Sequence, residues 1–435
     1  METVTDRIFR YIKHGGLYAA AMAKWLALSL AVGVCCGVLG SAFHIGVELA
    51  TEYRLGHGWV VYTLPLAGLA CVGIYRLLRV EGQGTNDILR EVQTGDGLSP
   101  TLLPAIFFAT VLTHFAGGSA GREGAALQMG GTIGYWSGRL ARLDDRDLRT
   151  ATMVGMAAFF SALFGTPLAA AVFALGVVSV GTIYHAAFIP CFIASLTAYG
   201  VSLLLGVEPT RFAVAAPAPG AGVLLRVAVL SVLCAFLSVL FCAVLHRSER
   251  AAEKLVKNPW LRAALGGGAL LALTKMLGTS DYNGAGMGVI TSAVEQGSAV
   301  PTAFLWKMIF TALTLSVGFK GGEVVPSFFV GATFGCVVGP LLGLPAGFAA
   351  AVGLVSVFCG AVNCPISSIF LAVELFGAEG MLSYALACGL SFALSGYSGL
   401  YSTQKILYDK LKARYIGVRT NAHHQGAPVP EGEEE

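Results

Sequence analysis

Long apolar segments separated by short polar stretches dominate the sequence. Several approach or reach the roughly 20 residues that a helix needs to cross the hydrocarbon core of a bilayer. They lie at about 18–50, 57–78, 101–115, 151–182, 185–206, 221–245, 262–277, 302–319, 326–359, 365–377 and 381–400. Some are too short, or too interrupted by glycine, to be simple spans. The pattern predicts an all-α polytopic membrane protein with broken helices, whose irregular backbone lines a protected cavity.

The composition agrees with a membrane protein. Hydrophobic residues make up 55% of the 435 positions and charged residues only 12%, and the mean hydropathy is +0.72. A soluble protein of this length is not expected to be so apolar. The small net charge of +3 gives no indication of nucleic acid binding. The expected surroundings are therefore a lipid bilayer.

The positively charged residues predict an orientation in that bilayer. They concentrate at the N-terminus, at 139–149, at 247–262 and at the C-terminus. By the positive-inside rule these four regions face the cytoplasm, including both termini. No cleavable signal peptide is visible, so we expect the first apolar segment to act as a signal anchor in the inner membrane.

Three segments recur in the same order in the two halves of the chain. The recurrences begin at Gly82 and Gly284, at Gly121 and Gly322, and at Phe160 and Phe358. Their separations of 202, 201 and 198 positions are nearly constant, which makes chance similarity a poor explanation. Internal repeats in membrane proteins usually flank a transport site. The residues alone leave open whether the repeats are parallel or inverted.

The repeats suggest a division of the chain into five regions. We predict a cytoplasmic amphipathic segment at 1–17 and a first membrane repeat at 18–246. A cytoplasmic connecting segment at 247–262 and a second membrane repeat at 263–415 follow. The last region, 416–435, is rich in proline and glutamate near its end and is expected to be a disordered cytoplasmic tail.

The central loop of the first repeat, at 117–131, places Arg122 and Glu123 at the start of an apolar segment. Backbone N–H groups and the positive end of a helix dipole at such a start suit an anion. We predict that Glu123 is a protonatable gate that competes with the anion; the alternative is a structural acceptor for loop N–H groups. Because Arg122 and Glu123 are adjacent, their side chains are expected to diverge.

The second repeat brings another carboxylate, Glu323, to the position equivalent to Arg122. A protonated Glu323 can donate a hydrogen bond to an anion and carry a proton past it. The alternative is an ion pair with Lys320 at the loop surface. We interpret Glu374, nine residues after Pro365, as structural, satisfying a helix end or a loop.

Most of the remaining polar candidates have two interpretations. Thr85, Asn86 and Asp87 open a predicted helix, so they are either N-capping residues or pore residues. Tyr401, expected at the start of a last amphipathic helix, is either an interfacial aromatic or a hydroxyl donor to the anion. Gln83, between two glycines, is expected to project beside the anion path.

A serine hydrolase motif has to be weighed as well. Residues 117–121 satisfy G-x-S-x-G around Ser119, and His114 is close by. The hydrolase elbow requires a preceding strand, and the second repeat has no nucleophile at the matching place. An intramembrane serine hydrolase therefore stays a remote alternative, and we predict that the protein is not an enzyme.

The ten cysteines all lie in apolar segments without metal-ligand spacing. We predict packing thiols, and neither a disulfide framework nor a zinc site. No cofactor is expected.

These loops resemble those of the CLC family of anion channels and anion/proton antiporters, over nearly the whole chain up to about residue 415. The family's three anion-site loops read G-S-G-I-P, G-R-E-G-P and G-x-F-x-P, followed by a late tyrosine. The corresponding segments here are 82–86, 121–125 and 322–326, then Tyr401. The resemblance implies two inverted halves of tilted, broken helices, a homodimer with one pathway per subunit, and Glu123 as the external gating glutamate.

Departures from the family pattern refine the prediction. Gln83 replaces a serine that accompanies chloride selectivity, Val324 replaces the gate phenylalanine, Glu323 is an extra acid, and Val177 stands where an internal proton glutamate is expected. The combination is most similar to the fluoride/proton antiporter branch. We predict a proton-coupled fluoride exporter, and the alternative is a chloride channel or chloride/proton exchanger of the same fold. Gating and proton transfer are assigned to Glu123 and Glu323, and anion binding to Gln83, Gly84, Gly121, Arg122, Gly124, Val324, Val325 and Tyr401.

Overall fold

Helices form most of the protein. The computed structural model describes residues 4–412 and 414–421, with side chains from residue 19 onward. Two short 3₁₀ turns, Val60–Thr63 and His185–Ala187, accompany the α-helices. The α-helices are α1 (Val4–Gly56), α2 (Leu64–Leu77), α3 (Thr85–Thr94), α4 (Leu102–Ala116), α5 (Glu123–Leu140), α6 (Asp145–Phe164), α7 (Pro167–Gly176), α8 (Phe188–Leu204), α9 (Ala221–Leu255), α10 (Pro259–Leu277), α11 (Met287–Glu295), α12 (Ala303–Ser316), α13 (Val324–Leu341), α14 (Ala346–Val362), α15 (Pro365–Phe376) and α16 (Met381–Leu394).

The second half repeats the helix series of the first. Helices α3, α5 and α7 correspond to α11, α13 and α15, which begin 202, 201 and 198 positions later. The left-handed glycine turns recur as well: Gly82 (φ 76°) and Gly117 (φ 99°) correspond to Gly284 (φ 58°) and Gly318 (φ 110°). Only glycine adopts such φ values without steric cost, so the two halves turn at equivalent positions. The predicted internal repeat is confirmed.

The two halves are inverted relative to one another. Gly121 N donates to Gly322 O and Gly322 N donates to Gly121 O, each at 2.7 Å, in an antiparallel bridge. Equivalent residues of the two repeats thus meet with their chains running in opposite directions. Helices α5 and α13 leave this contact in opposite directions, as the family resemblance implied.

Glycine allows the helix pairs on either side of this contact to pack very closely. A Cβ on Gly155 of α6 would overlap the backbone of Gly130 on α5. In the second half, a Cβ on Gly353 of α14 would overlap the backbone of Gly331 on α13. Such close backbone contacts are typical of helix packing in membranes. They fix the two half-helices that carry the central loops.

Broken helices explain why some apolar segments had unusual lengths. Five helical stretches of the described chain are long and apolar enough to cross a membrane: 19–56, 60–77, 185–204, 221–255 and 324–341. Several other apolar helices have only 10–17 residues. The single apolar segments predicted at 151–182 and 326–359 are each divided between two helices. The left-handed Gly165 (φ 68°) and Gly343 (φ 73°) follow the ends of α6 and α13, and Pro167 and Pro345 stand at the starts of the next helices.

The predicted boundary between the repeats falls inside a helix. Helix α9 extends through residue 246 to Leu255 and packs against α12, α14 and α16 of the second half. The segment 247–262 is mostly helical, since alanine, arginine and glutamate favour a helix even where the apolar stretch has ended. We infer that the halves join at 205–220, between α8 and α9.

A small sheet joins the segment after α7 to the chain that follows α16. Its strands are β1 (Ser179–Val180), β2 (Lys405–Tyr408) and β3 (Tyr415–Arg419), with β2 parallel to β1 and antiparallel to β3. The amphipathic helix predicted after Tyr401 is therefore wrong. Gln404 Nε2 donates to Val177 O and Val362 O, both at 2.9 Å, which holds this segment extended against the helices. Residues 416–419 of the predicted tail lie in β3, and 422–435 lie outside the described residues.

Candidate functional site

Three helices begin at one place inside the protein. Gly121 and Gly322, just before α5 and α13, exchange hydrogen bonds. Thr85, the first residue of α3, approaches Gly124 O of α5 with its hydroxyl at 3.4 Å. Helix starts carry unpaired N–H groups and a partial positive charge, which together suit a small anion. The starts of α3, α5 and α13, which all lie in the repeated segments, are thus brought together.

Glu123 is fully buried at this junction. Its Oε2 accepts a hydrogen bond from Val325 N of the other half at 3.3 Å, and its Oε1 has no hydrogen-bond partner among the described residues. A single long hydrogen bond holds a buried carboxylate weakly. Glu123 therefore does accept a hydrogen bond from a loop N–H group, as the structural alternative required, but only one of its two carboxylate oxygens is bonded among the described residues.

Arg122 lies nearer to Glu123 than the sequence indicated. Arg122 Nε is 3.9 Å from Glu123 Oε1. The expectation that these adjacent side chains diverge is wrong, because the buried guanidinium lies within reach of the opposite charge of its neighbour. This distance is longer than a hydrogen bond, so Arg122 stabilises the negative charge of Glu123 without forming a hydrogen bond to it.

A cavity of about 230 Å³, which we call the inner cavity, opens on one side of Glu123. It is lined by Gln83, Gly84, Glu323 and Tyr401, and also by Asp87, Gln128, His246, Glu249 and Lys320. Three buried polar atoms converge here that have no hydrogen-bond partner among the described residues, namely Glu323 Oε2, Tyr401 Oη and Gln128 Oε1. Each buried polar atom that lacks a hydrogen-bond partner destabilises the folded protein by about 1–3 kcal/mol, so the cavity is suited to a polar ligand.

Another cavity of about 730 Å³, which we call the outer cavity, opens on the opposite side. Arg122 and Val325 line it, together with His44, Glu48, Arg54, His114 and the residues around the start of α11. Glu123 lines neither cavity and lies between them. Of the predicted anion-binding residues, Gly121, just before α5, and Gly124 and Val324, in the first turns of α5 and α13, line neither cavity and lie between the two.

The inversion explains why Arg122 and Glu323 occupy opposite cavities. Each is the residue directly before a half-helix, and Glu323 is 201 positions after Arg122. Because the repeats run in opposite directions, equivalent side chains point to opposite sides of the junction. The site therefore has an arginine at its outer end and a carboxylate at its inner end.

Lys320 does not pair with Glu323. Its Nζ lies 4.2 Å from the centroid of the Tyr75 ring, a cation–π contact. The structure contains no N–O approach within 4.0 Å between these two described side chains. The alternative in which Lys320 neutralises Glu323 is wrong, because the aromatic face provides the lysine with a different partner.

The polar start of α3 has a structural role. Asp87 Oδ2 accepts from Gly84 N at 2.8 Å, so N-capping is confirmed for Asp87. Asn86 Oδ1 accepts from Thr403 N at 3.2 Å and contacts Thr403 Oγ1 at 3.0 Å. These bonds tie α3 to the segment that carries Tyr401. Sequence reasoning missed Thr403, since nothing local indicates a partner more than 300 positions away.

Gln128 is another residue that sequence reasoning missed. It lies one turn after Gly124 in α5, lines the inner cavity, and donates through Nε2 to Thr85 Oγ1 at 3.2 Å. A signal was present: Gln128 is a polar residue in an apolar segment directly after the central loop.

Glu374 is structural, as predicted. Its carboxylate accepts from Leu168 N at 3.1 Å and Ala169 N at 2.9 Å, at the start of α7. Val177, where the family's internal glutamate was expected, is fully buried, and its carbonyl accepts from Gln404. No carboxylate is present at that position.

The geometry does not fit a serine hydrolase. Ser119 Oγ contacts Thr311 Oγ1 at 3.0 Å, and its N–H donates to Thr314 Oγ1 at 2.9 Å. His114 Nδ1 contacts Thr110 O at 2.9 Å rather than the serine. The segment before Ser119 is the helix α4, not the strand that a nucleophile elbow requires. This alternative is wrong.

The cysteines and other metal-ligand types form no cluster in the described part of the chain. All ten cysteines are free thiols, and nine of them are buried. No group of three or more His, Cys, Asp or Glu among the described residues is placed to hold a metal ion. The thiols contribute to packing.

Comparison with known proteins gives one consistent family. Residues 67–396 match the family described as voltage gated chloride channel. A chloride/fluoride channel protein of Pseudomonas syringae pv. tomato is 34% identical over 419 residues, covering 94% of this chain and 89% of that protein. The H(+)/Cl(-) exchange transporter ClcA of Vibrio cholerae is 26% identical over 381 residues, with coverages of 80% and 81%.

A solved structure has the same architecture. It is the crystal structure of a CLC-type fluoride/proton antiporter, with a TM-score of 0.85 and 30% sequence identity. The similarity covers 93% of this chain and 99% of the solved chain. It therefore includes both inverted halves and the loops between them.

Proposed function

The chain belongs to the CLC family of anion channels and antiporters, and from this membership we propose that it is a fluoride/proton antiporter. The observation that carries the choice of fluoride is Glu323, a second carboxylate in the anion pathway, whose buried Oε2 has no hydrogen-bond partner in the described part of the chain. The printed names of the 34% identical relative and the 30% identical structure, which include fluoride, support the same choice. The protein is a transporter and not an enzyme.

Fluoride fits the donors that converge on the site. It is small and strongly hydrated, so a binding site has to replace water with strong hydrogen-bond donors. The starts of α3, α5 and α13 offer backbone N–H groups, and Gln83 and Tyr401 offer side-chain donors into the inner cavity. Fluoride is also the anion of a weak acid, which makes its transport naturally linked to protons.

Glu123 acts as the gate. As a carboxylate it accepts from Val325 N and occupies the place between the two cavities. When it takes a proton from the outer cavity it loses its charge and its hold on that N–H group. Fluoride can then replace it at the junction, so the anion and the carboxylate alternate at one position.

Glu323 acts as the fluoride partner and proton relay. In its protonated form it donates a hydrogen bond to the anion, and in its charged form it repels the anion. Because Val177 removes the carboxylate expected at the internal position, the proton has to move inward through the anion pathway, where Glu323 is available. Chloride/proton exchange, the activity in the name of the 26% identical relative, is the second candidate, and the valine disfavours it.

We place the inner cavity on the cytoplasmic side of the inner membrane. Its rim is near Arg247 and Arg250 of α9, which belong to a basic region that the positive-inside rule puts inside. On this orientation fluoride leaves the cell while protons enter. Family membership also supports a homodimer with one pathway per subunit, and both termini in the cytoplasm.

Liposomes test this function directly. The purified protein is reconstituted into liposomes that are loaded with fluoride. Fluoride efflux and the external pH are then followed together. We expect fluoride to leave while protons enter, and chloride to be transported poorly. Equal transport of chloride, or fluoride flux without proton movement, would contradict the proposal.

A further inference from the structure

Each cavity carries a histidine and a glutamate on corresponding helices. His44 and Glu48 of α1 line the outer cavity, and His246 and Glu249 of α9 line the inner cavity. Glu249 is 201 positions after Glu48, the same separation that relates Gly121 to Gly322. The pathway therefore ends on both sides in a carboxylate placed by the same inverted repeat.

Both carboxylates lie where a cavity meets the solvent. The Glu48 side chain is 58% exposed and its Oε2 is 3.5 Å from His44 Nε2. Glu249 is exposed, one turn after the partly buried His246. Exposed carboxylates exchange protons with water rapidly, whereas the fully buried Glu123 has no such access of its own.

The groups that face Glu249 come from three elements. His246 is on its own helix, Lys320 and Glu323 lie just before α13, and Asp87 lies at the start of α3. The Glu249 carboxylate is close enough to interact electrostatically with both Lys320 and Glu323. Since Lys320 is held over the Tyr75 ring, its positive charge attracts the carboxylates of Glu249 and Glu323 without forming an ion pair with Glu323.

We propose that Glu249 and Glu48 are the proton-exchange residues at the two ends of the pathway. This inference rests on the proposed proton coupling and deepens it. At the inner end, protonated Glu323 gives its proton to water in the cavity, the Glu249 carboxylate accepts it, and Glu249 releases it to bulk water. Glu323 is left as a carboxylate, and the excess proton is transferred to bulk water. At the outer end, Glu48 takes a proton from bulk water and passes it toward Glu123.

The test uses reconstituted protein and small buffers that can replace a missing proton carrier. Glu249→Gln and Glu48→Gln are compared with wild type and with Glu253→Gln. Glu253 is an exposed glutamate four residues further along α9 that lines neither described cavity. Fluoride-driven proton uptake is measured at low buffer concentration and again with concentrated imidazole.

Each end variant is expected to lose about 10-fold in proton uptake at low buffer, less than the roughly 10²–10⁴-fold effect of a positioned acid or base, because water still carries part of the flow. Imidazole, or the conservative change Glu249→Asp, is expected to restore most of the rate. Glu253→Gln should behave as wild type.

Other outcomes overturn this inference. Wild-type rates in both Glu249→Gln and Glu48→Gln remove these residues from proton exchange, while fluoride/proton coupling of wild type stands. A loss that neither imidazole nor aspartate rescues points to a structural role and rejects the inference as well. Absence of proton uptake in wild type rejects the proposed function instead. Size-exclusion profiles identify a variant that fails to fold. If Glu249→Gln fails to fold, the proton uptake of Glu249→Asp with and without imidazole tests the role of Glu249 instead.

Discussion

Gly121 and Gly322 donate their backbone N–H groups to each other's carbonyls at 2.7 Å. This pair joins the two inverted halves at the point where both central half-helices begin. A Cβ on Gly322 would overlap Gly124 N, so the junction has no room for a side chain. The gate carboxylate, Glu123, lies two residues after Gly121, and the inner carboxylate, Glu323, directly follows Gly322, so their separation depends on this contact.

Replacing Gly322 by alanine should therefore weaken the fold at its centre. We expect a loss of about 1–3 kcal/mol, typical of an overpacked core, and a lower melting temperature in detergent. Gly288→Ala is the matched control, because a Cβ there meets no atom within 4 Å. Equal melting temperatures for the two variants would show that the junction tolerates a side chain.

Replacing Glu123 by glutamine should abolish proton coupling. Glutamine keeps the size of the side chain but cannot release a proton, so it cannot alternate with the anion in response to protonation. Fluoride efflux and proton uptake are measured together in liposomes. Normal coupling in Glu123→Gln would remove Glu123 from the role of gate.

Replacing Tyr401 by phenylalanine should weaken fluoride binding and leave stability unchanged. The Tyr401 hydroxyl has no protein partner, so its loss breaks no bond within the described chain. A hydrogen bond to a charged group contributes about 1.5–3 kcal/mol, which corresponds to roughly a 10- to 100-fold weaker affinity by calorimetric titration with fluoride. Tyr384→Phe is the control: the Tyr384 hydroxyl is also buried and lacks a hydrogen-bond partner among the residues that the structure describes, but Tyr384 lines neither cavity. A similar loss in both variants would argue against a direct contact of Tyr401 with fluoride.

Replacing Glu374 by alanine should lower stability and preserve coupling. Its carboxylate accepts two N–H groups at the start of α7, and loss of such a cap costs about 0.5–2 kcal/mol. The melting temperature should fall, while the ratio of protons to fluoride in the folded protein stays that of wild type. A changed ratio would give Glu374 a part in transport.

The sequence predicted the inverted-repeat architecture from glycines and charges at a constant separation, together with the family resemblance. It also predicted the structural role of Glu374, since a carboxylate near a helix end has a simple local explanation. These features depend on short-range chemistry or on repetition, both of which are visible in one sequence.

Other features depend on contacts between distant residues. The strands after Tyr401 form because Gln404 bonds to Val177 and Val362, and the position of Lys320 is set by the Tyr75 ring. The division of the site into an inner and an outer cavity follows from inversion, which places Arg122 and Glu323 on opposite sides. No local pattern contains this information.

The central claim is that a second carboxylate couples fluoride to protons. The most direct measurement compares fluoride-driven proton uptake by wild type and by Glu323→Gln in the same liposomes. A fluoride gradient should drive protons into wild-type liposomes against a proton gradient, and Glu323→Gln should lose this uphill movement. Uphill proton movement that persists unchanged in Glu323→Gln would contradict the account.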